Sequence, residues 1–502
     1  MRKQPVSRAT LVLLLLASAA CGQKVRQPAV AGQFYPADAN ELRKMVDGFL
    51  AAAPAPALSG PVVALISPHA GYEFSGAVAA NAYALVKGRK FERVVVIAPS
   101  HIEAFGFSSV YDGDAYETPL GLVPVDKAFA AKLAGMSPLI KLSSLGHVAK
   151  GERGEHALED ELPFLQRALG GPFKLVPIIM GDQSYDNCRA LGLALAKLIG
   201  GSDTLIVASS DLSHYHSYVE AVMIDRKTLK AIQEWDYLSM ARNFESRVWE
   251  ACGGGPIIAA MIASERLGAT EAKLLKYANS GDVTKDRDRV VGYGALALIK
   301  ANGGNASAPP FALTQTEREQ LLKVARASVE TAVRDRRTYD VSSSLPEALM
   351  QERGAFVTLK EHGDLRGCIG YIAPMKPLSV TVRDVAAFAA LEDTRFQPVA
   401  PAELGQLQYE ISVLSPLRRV MDVKQIEVGK HGLVMRRGDR EGLLLPQVPV
   451  EEKWDRLTFL EQTCRKAGLP TDAWKDPDTD IFMFTALVFG DHSSTAGPPA
   501  RH

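Results

Sequence analysis

Cysteine is scarce in this chain of 502 residues, with five in all. Once Cys21 is set aside, Cys188, Cys252, Cys368 and Cys464 remain, so there is no disulfide scaffold of the kind small secreted folds depend on. None has the spacing that holds an iron–sulfur cluster. Excess charge of one sign is absent as well. Lys plus Arg and Asp plus Glu number 57 each, which removes the basic footprint of a nucleic-acid binder. Long apolar runs are missing beyond Leu11 to Ala20, and that run of about ten residues is too short to span a bilayer. No internal repeat is present.

What stands at the N-terminus is a processing signal. Arg2, Lys3 and Arg8 precede the apolar run, and Ala17, Ser18, Ala19 and Ala20 lead from it to Cys21. A basic start, a short apolar segment and small residues make a secretory signal. A cut before Cys21 resembles a bacterial lipobox, with Ser18 where the usual pattern has Leu. That resemblance implies lipidation of Cys21 and a membrane-anchored lipoprotein on the periplasmic side of the cell envelope. The alternative is an ordinary signal peptide with Cys21 a free thiol, and either way the mature protein works outside the cytoplasm. About 480 residues remain after residues 1–21, enough for two domains with full cores.

The break between them is residues 301–313, where Gly, Asn, Ser, Ala and the pair Pro309-Pro310 read as a linker. Before it, in residues 25–300, strands alternate with helices. Val62 to Ser67, Arg93 to Ala98, Phe173 to Met180 and Thr204 to Ser209 are apolar runs. Gly76 to Val86, Glu155 to Ala168 and Asp186 to Ile199 are helical. The pattern predicts an α/β domain with a parallel sheet covered on both faces. Residues 314–491 read as a smaller α+β domain. Thr314 to Glu317 is a capping box opening a helix to about Arg336. Strands follow at Ala355 to Lys360, Tyr409 to Leu414 and Gly442 to Val448, with helices at Leu378 to Leu391 and Lys453 to Gly468. Residues 492–502 read as a disordered tail.

Chemistry-bearing residues follow the apolar runs of the first domain, where open α/β sheets place their sites. His69 follows Ser67-Pro68, and His101 follows Pro99-Ser100. Asp211 and His214 follow Ser209-Ser210. Cys252 precedes a glycine turn and a helix near Pro256, whose N-terminus would lower its pKa toward the metal-binding thiolate. His214 is a candidate acid/base with Asp211 fixing its tautomer, or else Asp211 caps the next helix. His156 is a pocket group or an i,i+4 partner of Asp160. Tyr72 hydrogen-bonds a substrate or packs. His147 and His216 read as surface residues.

Pro68-His69-Ala70-Gly71-Tyr72, Pro99-Ser100-His101, Glu155-His156-Ala157-Leu158-Glu159, Ser209 through His214 and Cys252-Gly253 together resemble the Memo proteins, roughly from Val25 to Lys300. That family's fold is similar to the class III extradiol dioxygenases. The resemblance implies metal ligands at His69, His101 and Cys252, and catalytic or pocket roles for His156, Asp211 and His214. Two imidazoles and one anion leave positions open for dioxygen and substrate. A thiolate in place of a carboxylate favours iron or copper, with zinc also suited.

In the second domain, Ala355 to Lys360 and Leu365 to Tyr371 form a hairpin. Period two puts Arg366 and Cys368 on one face, where they would bind substrate. The alternative leaves Cys368 as core and Arg366 paired with Glu392 or Asp393. The run Arg366-Gly367-Cys368-Ile369-Gly370, with Glu392 to Phe396 and Gly442 to Val448, resembles the AMMECR domain family. The two domains together resemble part of the AmmeMemoRadiSam grouping, but export would separate this chain from a cytoplasmic radical enzyme. The reading is an exported iron or copper redox metalloprotein with a small-molecule or peptide substrate and no nucleic-acid partner. Its rivals are a peptide-binding scaffold and a zinc hydrolase.

Overall fold

A computed structural model describes residues 23–147, 154–301, 311–341 and 345–491, apart from 373, 375, 421, 439 and 477. The signal segment with Cys21, most of the linker and the C-terminal tail lie outside the described residues.

The first domain is built on a nine-stranded sheet. At its centre Val62–Ser67, Thr204–Ser209, Arg93–Pro99 and Lys174–Met180 lie side by side and parallel. Their unbroken apolar sequences follow from burial on both faces. Val95 and Ile97 point into one apolar layer, Val94 and Val96 into the other. One layer is filled from the helices Ala39–Ala52, Tyr72–Ala84 and Glu161–Ala168. The other is filled from Tyr185–Ile199, Tyr237–Glu245 and Gly254–Arg266. Because the central strands run the same way, His69, Asp211 and His101 all emerge at one edge. Antiparallel strands flank this centre, among them Val290–Ile299 and the short His214–His216.

The second domain carries a seven-stranded antiparallel sheet. Ala355, Val357 and Leu359 face the helices Gln315–Asp335 and Leu378–Leu391. Phe356, on the opposite face, packs into the apolar cluster of the first domain. That cluster runs continuously from Tyr237 and Met240 to Leu417, Val434 and Phe482. Beside it the buried carboxylate of Asp480 accepts from Arg189 Nε at 2.6 Å and from Tyr185 at 3.2 Å, both across the domain boundary. Arg419 of its own domain reaches it at 2.6 Å.

Three expectations are corrected. The helix expected from Glu155 begins at Glu161. The Glu155 carboxylate instead caps the amides of His156 and Ala157, and Pro163, which has no N–H, falls in the first turn where none is needed. The strand expected over Gly442 to Val448 is Arg440–Leu444, followed by a short helix from Val448 with Pro449 in its first turn. His147 is 3% exposed, not a surface residue. Its ring is held between the Tyr116 hydroxyl and the Ser109 carbonyl.

Candidate metal centre

Three imidazoles meet at the sheet edge. The ring centroids of His69 and His101 are 5.2 Å apart, those of His69 and His156 5.4 Å, and those of His101 and His156 4.8 Å. One ring nitrogen from each lies within 4.8 Å of the others. His156 sits in the turn before its helix, stacked on His101 and against Phe34. Burial brings its pKa down to about 4.

Each of the first two rings is anchored through Nδ1. His69 is 1% exposed, and its Nδ1 lies 2.8 Å from Ser209 Oγ. His101 Nδ1 lies 3.0 Å from Glu155 Oε1, while its amide donates to Glu155 Oε2 at 2.5 Å. Burial works to raise the Glu155 carboxyl, but the hydrogen bonds and charge of His101, with His156, together hold it below the usual range. Burial likewise works to lower His101, yet its bonds to Cys252 and Glu155 carry it up to about 10. His69 stays well below the ordinary imidazole value through burial and the neighbouring rings.

Cys252 completes the cluster. Its Sγ lies 3.2 Å from His69 Nε2 and accepts from the Asp211 amide at 3.2 Å. The loop that aims it is locked on both sides. Gln183 Nε2 donates to the Cys252 carbonyl at 2.8 Å, and Gly253 N–H donates to Ser210 Oγ at 2.9 Å. At Gly253 a Cβ would collide with the Ser209 carbonyl oxygen and Ser210 Cβ, so only glycine allows this approach. The helix Gly254–Arg266 follows directly, as expected. The thiol is not lowered, however; burial pushes it up against the opposing effect of His101.

Of the remaining candidates, the pairing of Asp211 with His214 is corrected. Asp211 does not orient His214. Its carboxylate accepts the His69 amide at 3.0 Å and so pins the His69 turn, with burial raising its pKa to about 7. His214 stands close enough to His69 and His101 for their charges to act on it, and burial lowers its pKa. Tyr72 is 2% exposed and its hydroxyl donates to the Asp160 carbonyl at 2.5 Å, which leaves it to packing. His156 and Asp160 are joined only by a backbone bond of 3.0 Å. Both Asp160 carboxyl oxygens are buried without a hydrogen-bond partner, and burial raises its pKa well above the usual value. His216 is half-buried and pairs with Glu250 at 2.8 Å.

Glu155, Ser209, Glu161 and Gln183 support the cluster and were not singled out from the sequence. Glu155 and Ser209 do lie inside the quoted motifs, which was the available signal.

Residues 26–297 match the family described as Memo-like protein. The chain belongs to that family. A MEMO1 family protein of Nitrosopumilus maritimus is 36% identical over 279 residues, covering 55% of this chain and 100% of the relative. Another, from Aeropyrum pernix, is 38% identical over 286 residues, again 55% and 100%. Residues 322–489 match the family described as AMMECR1. Protein TK0174 of Thermococcus kodakarensis is 45% identical over 193 residues, 36% of this chain and 94% of its own. Among solved structures, the uncharacterized protein PH0010 from Pyrococcus horikoshii is 37% identical. It covers 36% of this chain and 94% of its own, with a TM-score of 0.35.

In the AMMECR1 domain the expected pairing of Arg366 is corrected. It binds Glu403 through Nε at 2.8 Å and Nη2 at 3.2 Å, and the Gln397 carbonyl at 2.9 Å. The guanidinium beside Cys368 is instead that of Arg395. Arg395 Nη2 grips Asp393 at 2.6 Å, and the same carboxylate accepts the Cys368 amide at 2.9 Å. The Cys368 thiol accepts from Thr358 at 3.2 Å and is raised by burial, which Thr358 and Arg395 oppose. Cys368 and Cys464 are both free thiols. The Memo-domain cluster is therefore the stronger chemical site.

Proposed function

We propose that the Memo domain is a mononuclear redox-metal site with the His69 and His101 imidazoles and the Cys252 thiolate as donors. One observation carries this. The Nδ1 atoms of both rings are engaged by Ser209 and Glu155, which leaves Nε2 of each for the side where Cys252 stands. Anchoring the far nitrogen is how proteins fix the tautomer and direction of a metal-binding histidine. The donor set, neutral imidazole with a soft thiolate, suits Fe(II), Cu(I) or Zn(II). Iron or copper there would supply one-electron chemistry with dioxygen, while zinc would supply an activated water. Glu155 orients His101, and the Asp211 amide donates to the sulfur and stabilises its anionic form. In this reading His214, which burial keeps neutral at pH 7, would accept a proton.

His156 favours a second reading, in which it replaces Cys252 as the third donor, since its ring nitrogen lies in the same cluster. Metal titration of the wild type, Cys252→Ala and His156→Ala under anaerobic conditions separates the two. The leading reading expects stoichiometric metal in the wild type and a loss in Cys252→Ala beyond the ~10–100-fold typical of a supporting residue. It expects a smaller loss in His156→Ala. The reverse order gives the site to three histidines. No metal after reconstitution rejects the metalloprotein and leaves the cleft as a peptide-binding pocket.

The AMMECR1 domain, in this reading, binds the small-molecule or peptide substrate. Export and lipidation at Cys21 rest on the basic, apolar and small-residue sequence that precedes it. They would separate the protein from a cytoplasmic radical-enzyme partner. Cys21→Ala in the native host is expected to lose fatty-acid labelling and move from the membrane to the soluble fraction. An unchanged distribution rejects the anchor.

A further inference from the structure

Behind His69 lies a chain of buried polar groups that the donor set does not use. Ser209 Oγ is 2.8 Å from His69 Nδ1, 2.6 Å from the Ala157 carbonyl oxygen and 2.6 Å from Glu161 Oε1. Glu161 Oε2 accepts from the Tyr83 hydroxyl at 2.5 Å, and Ser67 also hydrogen-bonds this carboxyl. Ser209, Glu161 and Tyr83 are all buried, so none of them is open to bulk solvent.

Counting hydrogens resolves the chain. A serine hydroxyl has one hydrogen to donate and two lone pairs to accept with. The Ala157 carbonyl can only accept, so the Ser209 hydrogen belongs to it. The other two contacts must then donate to Ser209. An ionised Glu161 would set two lone-pair oxygens against each other at 2.6 Å, a costly arrangement in a buried site.

We infer that Glu161 is a neutral carboxylic acid that donates to Ser209, and that through Ser209 it fixes His69 as the tautomer with hydrogen on Nδ1 and a free lone pair on Nε2. Glu161 is thus a positioning residue, acting on the cluster without touching it. Burial also raises the Glu161 carboxyl, to about 7, an effect that Tyr83 and Ser67 partly offset. The tautomer is a property of the metal-free protein, so it stands apart from the functional reading above.

The inference predicts that Gln replaces Glu161 without loss. Its amide N–H donates to Ser209 and its carbonyl accepts from Tyr83, at the positions the two carboxyl oxygens hold. Two spectroscopic measurements on metal-free protein at mildly acidic pH decide the matter. An infrared difference spectrum between wild type and Glu161→Gln is expected to show a protonated-carboxyl C=O band in the wild type only. Nitrogen NMR of 15N-histidine-labelled protein is expected to show His69 protonated at Nδ1 in both. Absence of the band, or an Nε2–H tautomer at His69, overturns the proposal. Where metal binds, Glu161→Gln is expected to keep wild-type affinity within about twofold, while Ser209→Ala loses ~10–100-fold with its circular dichroism intact. A Glu161→Gln loss as large as that of Ser209→Ala also overturns it. A wild type that binds no metal counts against the functional reading alone, and the tautomer still decides this one.

Discussion

Glu155 and Ser209 hold their two histidines by different chemistry, one with a charged carboxylate and the other with a neutral hydroxyl. The difference matches burial: His101 reaches solvent with 30% of its side chain, and His69 is enclosed. An ion pair at the enclosed position would cost more in desolvation than it returned. Glu161 gives this a measurable form. Its pKa is about 7 in the folded protein against an ordinary 4.5, so between those values the folded state holds a proton that the unfolded chain has released. Its contribution to stability is full below the lower value and is lost as pH rises through the upper one. Urea unfolding across that range is expected to show the wild type losing stability relative to Glu161→Gln as pH rises. Parallel curves would remove the raised carboxyl. At this scale the meeting of His69 and His101 was legible because both follow buried strands, while Cys252 was singled out as a ligand through the resemblance to the Memo proteins. Ser209 and Glu161 were not, because their partners lie far apart in sequence and meet only when the strands align.

Among the elements, the central strands were readable because burial on both faces forces continuous β-branched sequence. Thr314 was readable for another reason, as its side chain accepts from the Glu317 amide and the Glu317 carboxylate returns the bond at 2.7 Å. Thr314→Ala is expected to cost about 1 kcal/mol of stability in denaturant unfolding, and no measurable loss would show the cap to be idle. The turn before Glu161 was misread because apolar periodicity continues through it. What shapes that turn is Glu155 accepting from the amides of His156 and Ala157, and a side chain with no periodic signature leaves no trace in such a pattern.

On the scale of the whole molecule, the Gly- and Pro-rich residues 301–313 read as a linker between two domains. The two domains also share a continuous core and the buried Asp480. Asp480→Ala would leave Arg419 and Arg189 enclosed without their shared carboxylate, at a cost of about 3–5 kcal/mol. Trp235 and Trp249 report the Memo domain, Trp454 and Trp474 the AMMECR1 domain. Fluorescence unfolding of the wild type is expected to be one transition, and Asp480→Ala is expected to shift it to lower denaturant. An unshifted midpoint would show that the pair carries no weight. The charges here were visible in the sequence, but nothing in it said which sheet face would meet the other domain.

That shared core also changes what the fusion means. Phe356 and Phe482 cover apolar surface belonging to a different domain family, as the inner surfaces of an obligate heterodimer do. Either half made alone would show water an oily sheet face or helix face that its sequence never armoured with charge. Insolubility of the separated halves would then be a property of this joint, and no sign that either domain is misfolded.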